Sequence, residues 1–253
     1  MIPESILLYD AHHARYKDDI SFWLGLAEAQ GGPVLELGCG SGRVLIPLAE
    51  AGFDVFGLDL DIASLALLKS RLTGPLSKRA AVFQGDMAAF CLEERFALVM
   101  LPCNTLSTLS REVLGVMLEN VGRQMAPGGR FVASMPNPVL FEKMMKEGET
   151  ELEDAFTHPV TGNPVQVSSS WQRSSGIFTV SWHYDQLLPD GLVRRTTVQA
   201  GHNPWLVAEY MEAFRSANLS LEAAYGDFDR RPYRASSKHL ILVVSKLNAD
   251  KHR

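Results

Sequence analysis

The chain has 253 residues, 46% hydrophobic and 21% charged, with a net charge of −5 and a pI near 5.8. That length and balance describe one large or two small globular domains with a sizeable core, and the lack of a basic block disfavours nucleic-acid or anionic-membrane partners. The start, MIPESILLYD, carries no signal-peptide pattern, no apolar run reaches membrane-spanning length, and Cys39, Cys91 and Cys103 form no CxxC pair, which together point to a reducing, cytoplasmic setting without a disulfide framework.

Apolar and aromatic residues over 9–29 predict one N-terminal helix, closed by Gly31-Gly32-Pro33. Residues 34–37 form a short apolar strand. A glycine-rich turn follows, then a helix over 42–51 with Pro47 early, where a missing N–H costs least, and Gly52 as its stop. A second strand covers 54–59. Asp61 caps a helix over 62–72, which Gly74-Pro75 breaks. Strands over 80–84 and 96–101 precede a helix over 111–125. Pro127-Gly128-Gly129 predicts a turn into a fifth strand, 130–135. Strands alternating with helices imply a parallel sheet that binds its ligand at the strands' carboxyl ends. Glu36, Asp59, Asp86 and Asn104 all stand at such ends.

After residue 138 the rhythm changes. A charged stretch, 141–154, reads as helix. Strands over 165–173, 177–187 and 192–199, with turns at Ser174-Ser175-Gly176 and Pro189-Asp190-Gly191, form an antiparallel meander. A helix from Pro204 to residue 217 and strands over 219–225 and 239–246 complete the pattern. The expected organisation is a core of residues 1–138 and 203–253 with an inserted β-rich lid, 139–202.

The glycine turn carries the chemistry. Glycines let the backbone bend sharply and approach a ligand, and the helix that follows points free N–H groups at it. The dinucleotide fingerprint G-x-G-x-x-G places its third glycine one residue beyond Gly42 and has no counterpart of Glu36. Glu36-Leu37-Gly38-Cys39-Gly40-Ser41-Gly42 instead resembles the first motif of class I methyltransferases dependent on S-adenosylmethionine (SAM). Asp59 sits where that family's acid holds the ribose diol, and a carboxylate offers a diol two acceptors. Gly85-Asp86-Met87 resembles the family's adenine contact, and Met125-Ala-Pro-Gly-Gly-Arg-Phe131 its turn into strand five. Residues 9–23, 225–229 and 237–246 look like those of small-molecule enzymes with a β-meander lid, such as sugar-amine and glycine N-methyltransferases.

The resemblance implies a Rossmann-like, seven-stranded, mostly parallel α/β sheet with an inserted antiparallel β lid. It implies SAM as cofactor, held by Glu36, Gly38, Cys39, Gly40, Arg43, Asp59, Leu60, Asp86, Met87, Leu101 and Tyr16. The acceptor is a small molecule methylated at nitrogen, by a monomer or homodimer without metal, nucleic acid or membrane. The sequence departs from the family at Phe96-Ala97, where relatives carry Phe-Asp, and at Asn104-Thr-Leu-Ser-Thr108, which has no histidine. Leu101-Pro102-Cys103-Asn104 also differs from the Asn/Asp-Pro-Pro-aromatic signature of enzymes acting on base amines.

Methyl transfer is an in-line displacement, so the protein supplies alignment and a dry site. A base is needed only for a protonated acceptor, and no catalytic dyad stands out. Acceptor-side candidates are Tyr9, Asn104, Trp182, Tyr184 and Arg194. Tyr9 and Tyr16 share the predicted N-terminal helix. Phe178, Val180, Trp182 and Tyr184 share one strand face, and Arg194 and Arg195 place one guanidinium on each lid face for an acceptor carboxylate. His12, His13 and His183 read as solvated, and Cys39 and Cys103 as small buried thiols. An O-methyltransferase and a SAM-binding protein without transfer are the alternatives, and a dinucleotide oxidoreductase comes last.

Overall fold

The computed structural model describes residues 2–203 and 205–247. The N-terminal region forms two helices where one is predicted: α1 (Glu4–His13) and α2 (Ile20–Gln30). No glycine or proline makes the break. Asp19 makes it, turning its carboxylate inward, 1% exposed, to accept from Trp23 Nε1 at 3.0 Å and from Arg43. Tyr16 therefore lies in the connection and not on a helix.

β1 (Val34–Leu37) is buried along its whole length and leads through the glycine turn to α3 (Leu45–Glu50). This helix starts later than predicted because the turn runs on to Gly42, at φ +93°. β2 (Val55–Asp59) follows, then α4 (Ile62–Arg71), capped as expected by Asp61, which accepts from the Ala63 and Ser64 N–H groups. Then come β3 (Ala80–Gln84), β4 (Phe96–Leu101), α5 (Arg111–Gln124) and β5 (Met125–Pro136). The predicted turn at Pro127-Gly128-Gly129 is instead an irregularity within β5. Met125 pairs with Phe96 and Arg130 with Leu98, so the extra residues bulge out.

α6 (Pro138–Lys143) is short, and β6 (Glu151–Thr157) takes the end of the predicted helix over 141–154. The break falls near Gly148, whose Cα lies flat on Trp171: an added Cβ would meet Trp171 Nε1 at 2.1 Å. β6 then pairs antiparallel with β7 (Pro164–Ser174), which continues into β8 (Ile177–Leu187) and β9 (Val193–His202). The second sheet thus has four strands in the order β6-β7-β8-β9, one more than the predicted meander. The helix expected from Pro204 is α7 (Val207–Ser216), and Pro204 itself lies outside the described residues. β10 (Leu219–Tyr225) and β11 (His239–Lys246) complete the elements.

The main sheet runs β10-β11-β5-β4-β1-β2-β3. β3, β2, β1, β4 and β5 are parallel, and β11 is antiparallel to both its neighbours. It is the predicted seven-stranded, mostly parallel sheet. The strand order reverses between β1 and β4, which opens a crevice at the strands' carboxyl ends. One apolar layer packs α5 and α7 on the sheet, through residues such as Leu118, Phe131 and Phe214, and the other packs α2, α3 and α4, through Trp23, Leu48 and Leu68. A third cluster joins Leu8 of α1 to Val165, Val167 and Tyr184 of the second sheet. α1 also reaches back to the main sheet's side, where Asp10 pairs with Arg71 of α4. No helix among the described residues is long and apolar enough to cross a membrane.

Gly42 sets the glycine turn against α4. A Cβ there would lie 2.4 Å from Leu68 Cδ1 in a left-handed backbone. Gly42→Ala is expected to lower the unfolding free energy by about 1–3 kcal/mol through strain and overpacking. Urea denaturation checks this as a lower midpoint at unchanged slope, and an unchanged midpoint would mean that the turn relaxes freely.

Candidate active site

A cleft of about 1020 Å³ opens over the carboxyl ends of β1 and β4, between the main sheet, α1 and the inner face of the second sheet. Its floor is the glycine turn. Gly38 and Cys39 donate to Leu58 O at 2.7 and 3.1 Å, which ties the turn to β2. Gly40 N donates to Asp59 Oδ2 at 2.6 Å, and Asp59 Oδ1 accepts from Asp61 N at 2.8 Å. The Asp59 carboxylate therefore closes the turn on one side and starts α4 on the other, and each oxygen keeps a lone pair. Gly40, at φ +51°, faces open space apart from Asp59, where a side chain would obstruct a ligand.

Glu36 ends β1 beneath this turn. It is 1% exposed, and its Oε2 has no hydrogen-bond partner. Burial pushes its pKa well above the carboxylate range. Arg43 opposes the shift, and Asp59 and Asp19 add to it.

Arg43 grips Asp19 with both terminal nitrogens, at 2.7 and 2.6 Å, and these also donate to Tyr16 O at 3.1 Å and Cys103 Sγ at 3.0 Å. The expectation that Arg43 contacts the cofactor thus meets a guanidinium already committed to protein groups at the cleft wall. Its ring contact is Tyr16, 5.5 Å from Arg43 Cζ to the centroid.

Several predicted residues meet in the cleft: Tyr9, Tyr16, Cys39, Cys103, Asn104 and Trp182 all line it with the glycine turn. Tyr9 stacks on His13 at 3.8 Å and meets Trp182 edge-on at 5.7 Å. Burial raises the Tyr9 phenol to about 12 and lowers the His13 imidazole to about 4. Cys39 is a buried thiol as expected, whereas Cys103 faces the cleft. Cys103 and Asn104 are both left-handed, at φ +60° and +64°, and turn the chain sharply after β4.

Other predicted residues lie elsewhere. Tyr184 is fully buried in the cluster with Leu8, with His12 Nδ1 3.2 Å from its hydroxyl. α1 covers that part of the strand face and removes Tyr184 from the acceptor surface. Arg194 shares the Trp182 face but stands exposed at its far end, opposite Gln186, while Arg195 pairs with Asp185. Leu60 is exposed, Leu101 is in the core, and Asp86 caps its own turn by accepting from Ala88 N. Met87 is placed against the Gly38 side of the turn.

Sequence reading missed Asp19, Ser107 and His202, which the fold brings to this region. A predicted third lid strand three residues longer would have placed His202 on the Phe178 face. Among the described residues, no group of three His, Cys, Asp or Glu side chains is placed to hold a metal ion.

Residues 34–129, from β1 to the start of β5, match the family described as a methyltransferase domain. The match supports a SAM-dependent methyltransferase. This methyltransferase is 26% identical over 222 residues to the cypemycin N-terminal methyltransferase of Streptomyces sp, covering 85% of this chain and 84% of that one. It is 27% identical over 225 residues to the dTDP-3-amino-3,6-dideoxy-alpha-D-glucopyranose N,N-dimethyltransferase of Streptomyces fradiae, covering 85% and 83%. The structure of the CcbJ methyltransferase from Streptomyces caelestis superimposes with a TM-score of 0.75 at 24% identity, over 92% of this chain and 91% of that one, which shows the shared fold. The cleft suits SAM: Glu36 Oε2 is an unpartnered buried acceptor for a cation, and the Asp59 lone pairs suit a diol.

Because its folded-state pKa is raised, Glu36 adds stability only while protonated. That contribution is complete below the ordinary value of 4.5 and is lost as pH rises through the raised one. Without ligand, Glu36→Gln is expected to be more stable than wild type at pH 8, by about 1–3 kcal/mol, and to flatten the fall in stability between pH 5 and pH 8. Urea midpoints across that range decide it, and parallel pH profiles would mean that Glu36 ionises without penalty.

Proposed function

We propose that this methyltransferase moves the methyl group of SAM to the amine nitrogen of a small molecule. Glu36, Gly38, Cys39, Gly40 and Asp59 hold SAM along the turn. Leu60, Asp86 and Met87, the last beside Gly38, flank its adenine end, with Leu101 in the core beneath, and Tyr16 and Arg43 close the near wall. Residues 1–138 and 203–253 form the SAM-binding unit, and residues 139–202 cover the acceptor together with α1.

One observation carries the choice of nitrogen. The acceptor side of the cleft joins aromatic rings, Tyr9 and Trp182, with the carboxylate of Glu153. Rings and carboxylates attract a cation, and an amine in water is an ammonium. The two curated relatives are, by name, an N-terminal methyltransferase and an N,N-dimethyltransferase, which supports the reading. The net charge of −5 suits a small cationic acceptor better than a nucleic acid.

When bound, SAM supplies a methyl already activated on a sulfonium. The chain's own work is to hold the acceptor nitrogen in line and to keep water out. Trp182 and Tyr9 present flat apolar surface for that purpose, and Asn104, turned by its left-handed backbone, offers an amide at the end of β4.

The test is release of S-adenosylhomocysteine from SAM with a dTDP-linked 3-amino sugar, an alanine-terminated peptide, catechol and benzoate. Turnover is expected with an amine only, with the added methyl placed on nitrogen by fragmentation mass spectrometry. Turnover with catechol alone would move the enzyme to oxygen.

Calorimetric titration tests the cofactor residues. Asp59→Ala should weaken SAM by about 1.5–3 kcal/mol, the scale of hydrogen bonds to a charged group. Asp59→Asn, which keeps an acceptor for Gly40 N, should lose less. Unchanged affinity in a folded Asp59→Ala protein would remove Asp59 from the site.

A further inference from the structure

His202 ends β9, lines the cleft and is 6% exposed. Its Nδ1 lies 2.8 Å from Ser107 Oγ. Ser107 donates its hydroxyl proton to Asn104 O at 2.7 Å. A hydroxyl has one proton, so Ser107 accepts from the imidazole, and the ring proton resides on Nδ1. Nε2 is left with its lone pair and has no protein partner among the described residues.

The ring is also held in place. Phe141 lies nearly parallel to it, 6.3 Å between centroids, and Phe178 is its cross-strand partner. Asn203 N donates to Ser107 O at 2.6 Å, and Asn203 Nδ2 to Leu109 O at 3.0 Å. The end of the lid is thereby tied to the helical turn Thr105–Thr108, directly after Asn104 at the carboxyl end of β4.

The geometry assigns His202 Nε2 as the base that takes the proton an ammonium acceptor must lose before transfer. This rests on the nitrogen reading above. The acceptor R–NH3+ gives one proton to Nε2, and the N–H bonding pair stays on nitrogen. That pair forms the new N–C bond to the methyl, while the S–C electrons remain on sulfur. The imidazolium keeps its Nδ1–H on Ser107 and returns the Nε2 proton to water.

Burial lowers the His202 pKa, so the ring is neutral and Nε2 free at neutral pH. The other ionisable groups facing it from packed elements differ. α1 brings His13 at about 4, His12 also lowered by burial, and Tyr9 at about 12. Cys103, ahead of the helical turn, is raised to about 11. Arg43, Glu153 and Lys238 line the same cleft.

The experiment takes whichever amine the wild type methylates, the amino sugar or the peptide, and measures kcat/KM from pH 6 to pH 10. His202→Gln is expected to lose about 10²–10⁴-fold at pH 7. The loss should shrink to below about tenfold at pH 10, where the amine is already free in solution, with the KM for SAM unchanged. Nitrogen-15 NMR of the wild-type ring, without ligand, should show the proton on Nδ1. No amine turnover by the wild type would remove the nitrogen reading and this proposal with it. Amine turnover with a pH-independent loss in His202→Gln, or a neutral ring protonated on Nε2, would overturn the proposal alone. The NMR result decides equally if His202→Gln does not fold.

Discussion

The cleft depends on the ion pair between Asp19 and Arg43. Both carboxylate oxygens accept from the guanidinium, one of them also accepts from Trp23, and the two side chains are 2% and 13% exposed. A buried pair gains little over a hydrophobic substitute, but removing one partner strands a charge at a cost of about 3–5 kcal/mol. Here the pair's value is geometric. Arg43 leaves the glycine turn, Asp19 opens α2, and the same guanidinium reaches Tyr16 O and Cys103 Sγ. One side chain therefore sets the spacing of the N-terminal segment, the floor and the loop after β4.

Around that anchor the site keeps polar groups unsatisfied or committed to one side only. Glu36 is buried with one oxygen unpartnered, and Asp59 holds two backbone N–H groups yet retains acceptor capacity. A fold selected for stability alone would pair Glu36 or replace it with an apolar residue. Its place beneath a glycine turn is a point where stability is yielded. The main-sheet side of the cleft, with Glu36 and Asp19, is consequently acidic. The opposite side is aromatic and comes from α1 and the second sheet.

The main sheet was legible because its strands are short apolar runs closed by glycines, acids and caps, all local signals. What was not legible came from distant partners. The break between α1 and α2 is made by Asp19 meeting Arg43, 24 residues on, and residues 14–19 hold no glycine or proline to mark it. The stretch 141–154 reads as helix because its charges hide an alternation that matters only once β7 lies beside it. In the site, the glycine turn and Asp59 stand where their motif suggests. Period two correctly put Trp182 and Tyr184 on one face, yet α1 covers one and leaves the other in the cleft. His202 escaped notice because its strand was read as ending early, and its neighbour Ser107 is distant in sequence.

α1 bridges both halves. Leu8 is buried against Val165, Val167 and Tyr184, while Asp10 holds Arg71. The helix is made well before the strands that bury it. At cellular synthesis rates of about 5–20 residues per second, Leu8 waits roughly 10–35 s before Tyr184 exists. Closing so long a loop costs little more than closing a shorter one, so the delay is one of timing and not of stability. During it, the parallel strands and the Asp19–Arg43 tie can form, whereas the apolar side of α1 has nothing to pack on. A segment translated well before its packing partners is thus among the last to be locked, and the aromatic wall of the cleft is completed only after its acidic floor is in place.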